Sequence, residues 1–121
     1  MNQRLICGSD ELVEGGGGVR FTVDCQGVAE PAFVVRFGGR AYAYLNRCAH
    51  LSVELDWQPG EFFDVSGLYL ICATHGALYA PESGSCLGGR CNGKGLLAVS
   101  LAEHDGGIFL IEEGRDSGGQ Q

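Results

Sequence analysis

The chain has 121 residues, 45% of them hydrophobic and 19% charged, which fits one folded domain and argues against a disordered chain. Eight basic and fifteen acidic side chains give a formal net charge of −7, which argues against nucleic acid or an anionic membrane surface as a partner. The longest apolar run, Leu68–Ala73, is too short to cross a bilayer, and the apolar run near the N-terminus is too short for a signal peptide. We therefore expect a cytoplasmic protein without a membrane anchor.

The predicted elements are short β-strands separated by glycine-rich turns. In chain order, strands are predicted at Gly18–Asp24, Ala32–Phe37, Arg40–Leu45, Leu68–Cys72, Ala77–Ala80, Leu97–Leu101 and Ile108–Glu112. The strongest signal is the hairpin around Gly38-Gly39, because a two-residue glycine turn joins two β-prone runs there. Helix is restricted to one short turn at Ser52–Trp57, since no longer stretch shows a helical period. The fold class is all-β.

The middle of the chain differs from its two flanks. Between Asn46 and Gly93 the predicted strands shorten, and four of the six cysteines and two of the three histidines occur there. We interpret residues 46–94 as a small ligand-bearing β subdomain. It is inserted into an antiparallel β-sandwich or barrel framework formed by residues 4–45 and 95–112. Residues 114–121 are polar and glycine-rich and are predicted to be a flexible tail of this single domain.

Two short segments combine a thiol with an imidazole. They are Cys48-Ala49-His50 and Cys72-Ala73-Thr74-His75, and residues 51–71 separate them. Each segment follows a predicted strand, so a rigid scaffold can hold the two loops face to face. Cysteine and histidine at such spacing are ligands typical of a transition-metal site.

This pattern resembles the ligand signature of Rieske-type [2Fe–2S] proteins, and the resemblance extends from Ala32 to Ile111. It implies one [2Fe–2S] cluster, with Cys48 and Cys72 on one iron and His50 and His75 on the other. It is most similar to the soluble Rieske ferredoxins. These are electron carriers without catalytic residues, which take electrons from a flavin-dependent reductase and deliver them to a terminal oxygenase or a similar reductase.

Two other functions stay open at this point. The chain is also compatible with a Rieske-like small subunit of a larger reductase of the nitrite reductase type. Alternatively, Cys48, His50, Cys72 and His75 would form one tetrahedral structural zinc site. Metal and sulfide content distinguish the zinc module from the other two functions.

The remaining notable side chains are expected to have structural roles. In a reducing compartment we expect free thiols at Cys86 and Cys91, with a disulfide or zinc binding as alternatives. Buried thiols are expected at Cys7 and Cys25, and a solvated surface histidine at His104. The aromatic residues expected to pack under the first loop are Trp57, Phe62 and Phe63.

The departures from the respiratory Rieske proteins predict a low reduction potential. Val53 and Thr74 stand where those proteins have disulfide-bonded cysteines, and Ala77 stands where they have a serine hydroxyl near the cluster. Fewer hydroxyl donors stabilise the added electron less, so we expect a midpoint of roughly −150 mV rather than +300 mV. An EPR-monitored redox titration measures it, and a midpoint above about +100 mV would contradict the prediction.

Overall fold

The computed structural model describes residues 2–25, 27–46, 55, 61–64, 66–72, 76–88 and 95–112. Within these residues the fold is all-β, as predicted, with one 3₁₀ turn at Ser9–Glu11. The strands are β1 (Asn2–Gly8), β2 (Val19–Cys25), β3 (Val28–Phe37), β4 (Arg40–Leu45), β5 (Leu70–Ile71), β6 (Leu78–Tyr79), β7 (Cys86–Gly88), β8 (Ala98–Val99), β9 (Leu101–His104) and β10 (Gly107–Glu112).

The central sheet has the strand order β2-β3-β4-β8 and contains the predicted hairpin. β3 and β4 pair in antiparallel register from Ala32↔Leu45 to Phe37↔Arg40. Gly38 and Gly39 both have positive φ, 62° and 80°. A two-residue hairpin turn of this kind needs positive φ at both positions, and only glycine adopts it without strain.

β3 is buried on both of its faces. Ala32, Phe33, Val34 and Val35 are all fully buried. Because side chains alternate along a strand, Ala32 and Val34 pack on one side of the sheet and Phe33 and Val35 on the other. A strand covered on both faces needs a continuous apolar run, which explains this sequence.

The first core lies between the central sheet and a second sheet of order β1-β10-β9. Ile108 and Leu110 of β10 pack there with Val34, Ala43 and Leu45. Polar contacts also join the two sheets. The Arg36 guanidinium of β3 pairs with the Glu103 carboxylate of β9 at 2.8 Å, and Arg4 of β1 donates a hydrogen bond to the carbonyl of Thr22 in β2.

The second core lies on the other face of the central sheet, against the small sheet β5-β6-β7. Phe33 and Phe62 stack there with ring centroids 4.0 Å apart, and Tyr44, Leu70 and Tyr79 complete the centre. The small sheet carries the second predicted ligand segment at the end of β5. The same core therefore supports the candidate site and the central sheet.

Most predicted strands are present, with changed bounds. The predicted strand at Leu68–Cys72 is reduced to Leu70–Ile71, because Leu68 and Tyr69 are exposed and belong to the preceding turn. Leu97–Leu101 divides at Ser100 into β8 and the start of β9, which belong to different sheets. β1 and β7 were not predicted. The predicted helical turn at Ser52–Trp57 lies outside the described residues except for Leu55.

The carboxylate of Glu14 binds the turn between β3 and β4. Glu14 accepts hydrogen bonds from the N–H groups of Gly38 and Gly39, at 2.6 and 2.9 Å. These two backbone donors, followed by the nearby Arg36, lower the pKa of the Glu14 carboxyl below its ordinary value. The charged form is therefore the form that stabilises the hairpin.

Replacement of Glu14 by Gln is expected to lower the free energy of unfolding at neutral pH, because Gln has one acceptor oxygen and no charge. A carboxyl whose pKa is lower in the folded state contributes stability above its unfolded pKa and loses it as pH falls through the folded value. The difference between the two proteins should therefore shrink in acid. Urea unfolding from pH 7 down to pH 3 measures it, with Glu61→Gln as a charge-matched control. A difference that is constant over this range contradicts the assignment.

Candidate functional site

Of the four predicted ligands, the structure describes Cys72. Cys72 follows β5 directly, is fully buried and carries a free thiol. Cys48, His50 and His75 lie outside the described residues, as do Val53, Trp57, Thr74 and Cys91. The site is therefore described from Cys72 and from the residues that flank the two ligand segments.

Backbone hydrogen bonds close a tight turn after Cys72. The Cys72 N–H donates to the carbonyl of Ala77 at 2.9 Å, and the Gly76 N–H donates to the carbonyl of Cys72 at 2.7 Å. Gly76 has φ +72°, which lets the chain reverse before β6. Cys72 and Gly76, between which the predicted ligand His75 lies in the sequence, are thus hydrogen-bonded to each other.

The small sheet β5-β6-β7 is called the ligand hairpin below, because the predicted ligand Cys72 follows its first strand. It is fixed on both sides of β5. Ile71 pairs with Leu78 of β6, and the Ile71 N–H donates to the carbonyl of Phe62 at 2.9 Å. Phe62 is fully buried, and Phe63 stacks on Phe37 with centroids 6.1 Å apart. Phe62 and Phe63 therefore pack on Phe33 and Phe37 of β3, and their predicted packing under the first ligand segment falls on residues outside the described ones.

The first ligand segment is anchored at both of its ends. Asn46 precedes it directly after β4, and Leu55 follows it. The Leu55 N–H donates to Asn46 Oδ1 at 2.8 Å, and both residues are buried. The sequence pattern does not predict this contact. Its one signal is a polar side chain directly after an apolar strand.

A buried tyrosine links the central sheet to the ligand hairpin. Tyr44 Oη donates to the carbonyl of Pro81 at 2.7 Å. Burial, followed by the nearby Tyr42 and Glu82, raises the pKa of Tyr44 far above its ordinary value, so the hydroxyl stays protonated and acts as a donor. Gly84 packs directly on the Tyr44 ring: a Cβ there would lie 2.8 Å from Tyr44 Cε1.

The other two cysteines whose side chains are described, Cys7 and Cys86, differ in oxidation state. Cys7 is a buried free thiol, as predicted, and burial raises its pKa most, followed by the nearby Glu11. Cys86 is disulfide-bonded, so the expectation of a free thiol at this position is wrong. Its partner is neither of the described free thiols, Cys7 and Cys72. The side chain of Cys25 lies outside the described residues.

His104 lies on the β9–β10 hairpin, away from the ligand segments. It is part-exposed, as predicted, but it is not simply solvated. Its ring stacks on Phe109 at 4.5 Å, and its nitrogens lie 2.9 Å from Asp105 Oδ2 and 2.7 Å from Gln3 Oε1. These contacts give His104 a structural role between β1, β9 and β10.

A small groove lies at the β4–β8 edge of the central sheet. Its volume is about 210 Å³, and Tyr42, Glu82 and Val99 contribute to its lining. Cys72, the predicted ligand that the structure describes, does not line it. In the part of the chain that the structure describes, no helix is long and apolar enough to span a membrane.

Comparison with known proteins identifies the family. A family model described as the Rieske [2Fe–2S] domain matches residues 2–104. A search of curated proteins finds no significant match.

Solved structures share the fold at low sequence identity. The ferredoxin of carbazole 1,9a-dioxygenase from Nocardioides aromaticivorans IC177 aligns with a TM-score of 0.70 and 21% identity, over 93% of this chain and all of that one. The ferredoxin in a complex of reduced oxygenase and oxidized ferredoxin of carbazole 1,9a-dioxygenase aligns at 0.68 and 20%, over 89% and 91%. The quaternary ammonium Rieske monooxygenase CntA aligns at 0.73 and 16%, but this chain covers only 33% of it.

Replacement of Gly84 by Ala is expected to destabilise the protein through the Tyr44 contact. The matched control is Gly106→Ala, because Gly106 has nearly the same φ, +73° against +75°, but no atom within 4 Å of its Cβ position. Backbone strain is then equal in the two variants, and overpacking adds about 1–3 kcal/mol at Gly84 alone. Urea unfolding measures the difference. Equal losses in the two variants would show that the Tyr44 ring moves aside freely.

Proposed function

Because the chain belongs to the Rieske [2Fe–2S] domain family, we propose that it is a one-electron carrier that passes electrons from a flavin-dependent reductase to a terminal oxygenase or a similar enzyme. The observation that carries the proposal is the family match over residues 2–104. The cofactor of this family is a [2Fe–2S] cluster, which supplies one-electron chemistry when bound.

The described residues fit such a group. Cys72 is a fully buried cysteine at the end of a strand and is not disulfide-bonded, and a buried thiolate is stabilised by a metal ion or by hydrogen-bond donors. We assign Cys48 and Cys72 to one iron and His50 and His75 to the other. Two ferric ions, two sulfides, two thiolates and two neutral imidazoles sum to zero charge, so one added electron leaves −1. Four thiolates would give −3 after reduction, which explains why imidazole ligands favour electron uptake.

The role of the chain is then to hold the ligands rigidly and to present one side of them to a partner. The backbone bonds from Cys72 to Gly76 and Ala77, and the bond from Leu55 to Asn46, join the residues that flank the two ligand segments and support this role. Complexes between a ferredoxin and its oxygenase are known for carbazole 1,9a-dioxygenase, and a partner of that class suits this chain. The net charge of −7 favours docking on a basic surface, with association that slows as salt rises.

The ligand assignment is tested by a pair of cysteine variants. Cys72 and Cys7 are both buried free thiols, so Cys72→Ala and Cys7→Ala remove the same group from similar surroundings. We expect two irons and two sulfides per chain, with the EPR signal of a reduced Rieske cluster, in the unaltered protein and in Cys7→Ala. Cys72→Ala should lose both. One zinc without sulfide in the unaltered protein would instead identify a structural zinc module.

Carrier function is tested by mixing experiments. The reduced protein should be reoxidised by a terminal oxygenase at a rate that falls between 50 and 500 mM salt, and it should stay monomeric during size-exclusion chromatography. A chain that folds or retains iron only with a larger reductase would identify a permanent subunit. Both outcomes are independent of which residues bind the irons.

A further inference from the structure

We propose that Asn46 is a positioning residue that fixes the segment bearing Cys48 and His50, so that the two side chains meet the irons in one geometry. This inference rests on the proposed ligand set. It concerns a residue that binds no iron itself and acts through the backbone of its own segment.

The main chain of Asn46 is attached to the framework. Its N–H donates to the carbonyl of Pro31 in β3 at 2.8 Å, one position beyond the last β3–β4 pair, Ala32↔Leu45. The neighbouring Leu45 N–H donates to the carbonyl of Leu97 at 2.9 Å. The end of β4 and Asn46 are therefore bonded to β3 on one side and to Leu97, directly before β8, on the other.

The side chain of Asn46 binds the far end of the same segment. Its Oδ1 accepts the hydrogen bond from the Leu55 N–H at 2.8 Å, and Asn46 is only 1% exposed. The residues on either side of the segment 47–54 are thus joined by a buried hydrogen bond. Cys48 lies two residues and His50 four residues from Asn46 in the sequence.

Leu55 connects this bond to the second ligand. Its side chain is fully buried in the core that also contains Cys72, Phe62 and Leu70. The end of the first ligand segment and the start of the second are therefore held by one core. A displacement of Leu55 changes the position of the first pair of ligands relative to Cys72.

The bond explains why a polar residue stands at this buried position. A buried backbone N–H without an acceptor is costly, and an aliphatic side chain at 46 offers none to Leu55. The Asn side chain has an acceptor at the required reach, and an Asp side chain has an oxygen at the same place. A Leu side chain has the same branching and the same number of non-hydrogen atoms, although it is bulkier, and it cannot accept. These three side chains separate the hydrogen bond from the packing.

The experiment compares Asn46→Leu and Asn46→Asp with the unaltered, iron-loaded protein. Val34→Ala is the control, because it leaves a cavity in the core between the two large sheets, and the described residues Asn46, Leu55 and Cys72 are not part of that core. Three quantities are measured: the free energy of unfolding, the rate of iron loss to a chelator, and the g values and linewidths of the reduced protein by EPR.

We expect Asn46→Leu to lose iron about tenfold faster and to show shifted or broadened g values. Asn46→Asp should restore the slow loss and the narrow lines, although its added charge lowers the reduction potential. Val34→Ala should unfold more easily with an unchanged EPR spectrum, since destabilisation alone does not alter the ligand geometry. If Asn46→Leu does not fold, Asn46→Ser takes its place, because its hydroxyl is too short to reach Leu55.

Two results overturn the inference. One is an Asn46→Leu or Asn46→Ser protein whose EPR spectrum and iron loss match those of the unaltered protein. The other is an Asn46→Asp protein that is no better than Asn46→Leu. Either leaves the proposed function intact. Absence of iron from the unaltered protein would instead overturn the proposed function, and this inference with it.

Discussion

The structure depends on one strand that is buried on both faces. Four consecutive residues of β3, from Ala32 to Val35, have no exposed surface, and alternate side chains belong to different cores. One core joins the central sheet to the β1-β10-β9 sheet, and the other joins it to the ligand hairpin. Both cores therefore depend on the packing of one strand, and loss of packing in either core lowers the stability of the domain as a whole.

This arrangement suits a site that must change charge without changing shape. Tyr44 binds the β6–β7 turn, Asn46 binds Leu55, and the backbone of Cys72 closes on Ala77. Each contact is buried or lies within the main chain, where solvent competes little. Residues that flank the predicted ligand segments are thus attached to the sheets at several points. Under the proposed ligand assignment, ligands fixed through these residues need little rearrangement when an electron is added.

The sequence predicted those features that depend on local chemistry. Gly38-Gly39 between two β-prone runs predicted the central hairpin, and the spacing of Cys48, His50, Cys72 and His75 predicted the family. It did not predict β1, whose partner β10 is about a hundred residues away, or the three-residue β7, whose pairing depends on β6. The contact between Asn46 and Leu55 also depends on tertiary structure. The free thiol expected at Cys86 was inferred from the cellular compartment alone, and no local pattern in the sequence tests such an inference.

The pairing of β1 with β10 has a consequence for synthesis on the ribosome. β10 is the middle strand of its sheet, between β1 and β9, and it contributes Ile108 and Leu110 to the core. While residues 107–112 are still in the ribosomal exit tunnel, β1 has no neighbour to pair with and one side of the central sheet is uncovered. The β2-β3-β4 meander has local connections only and is able to form during that interval. Nascent chains of this protein therefore pass through a stage in which an apolar sheet face is open to chaperones.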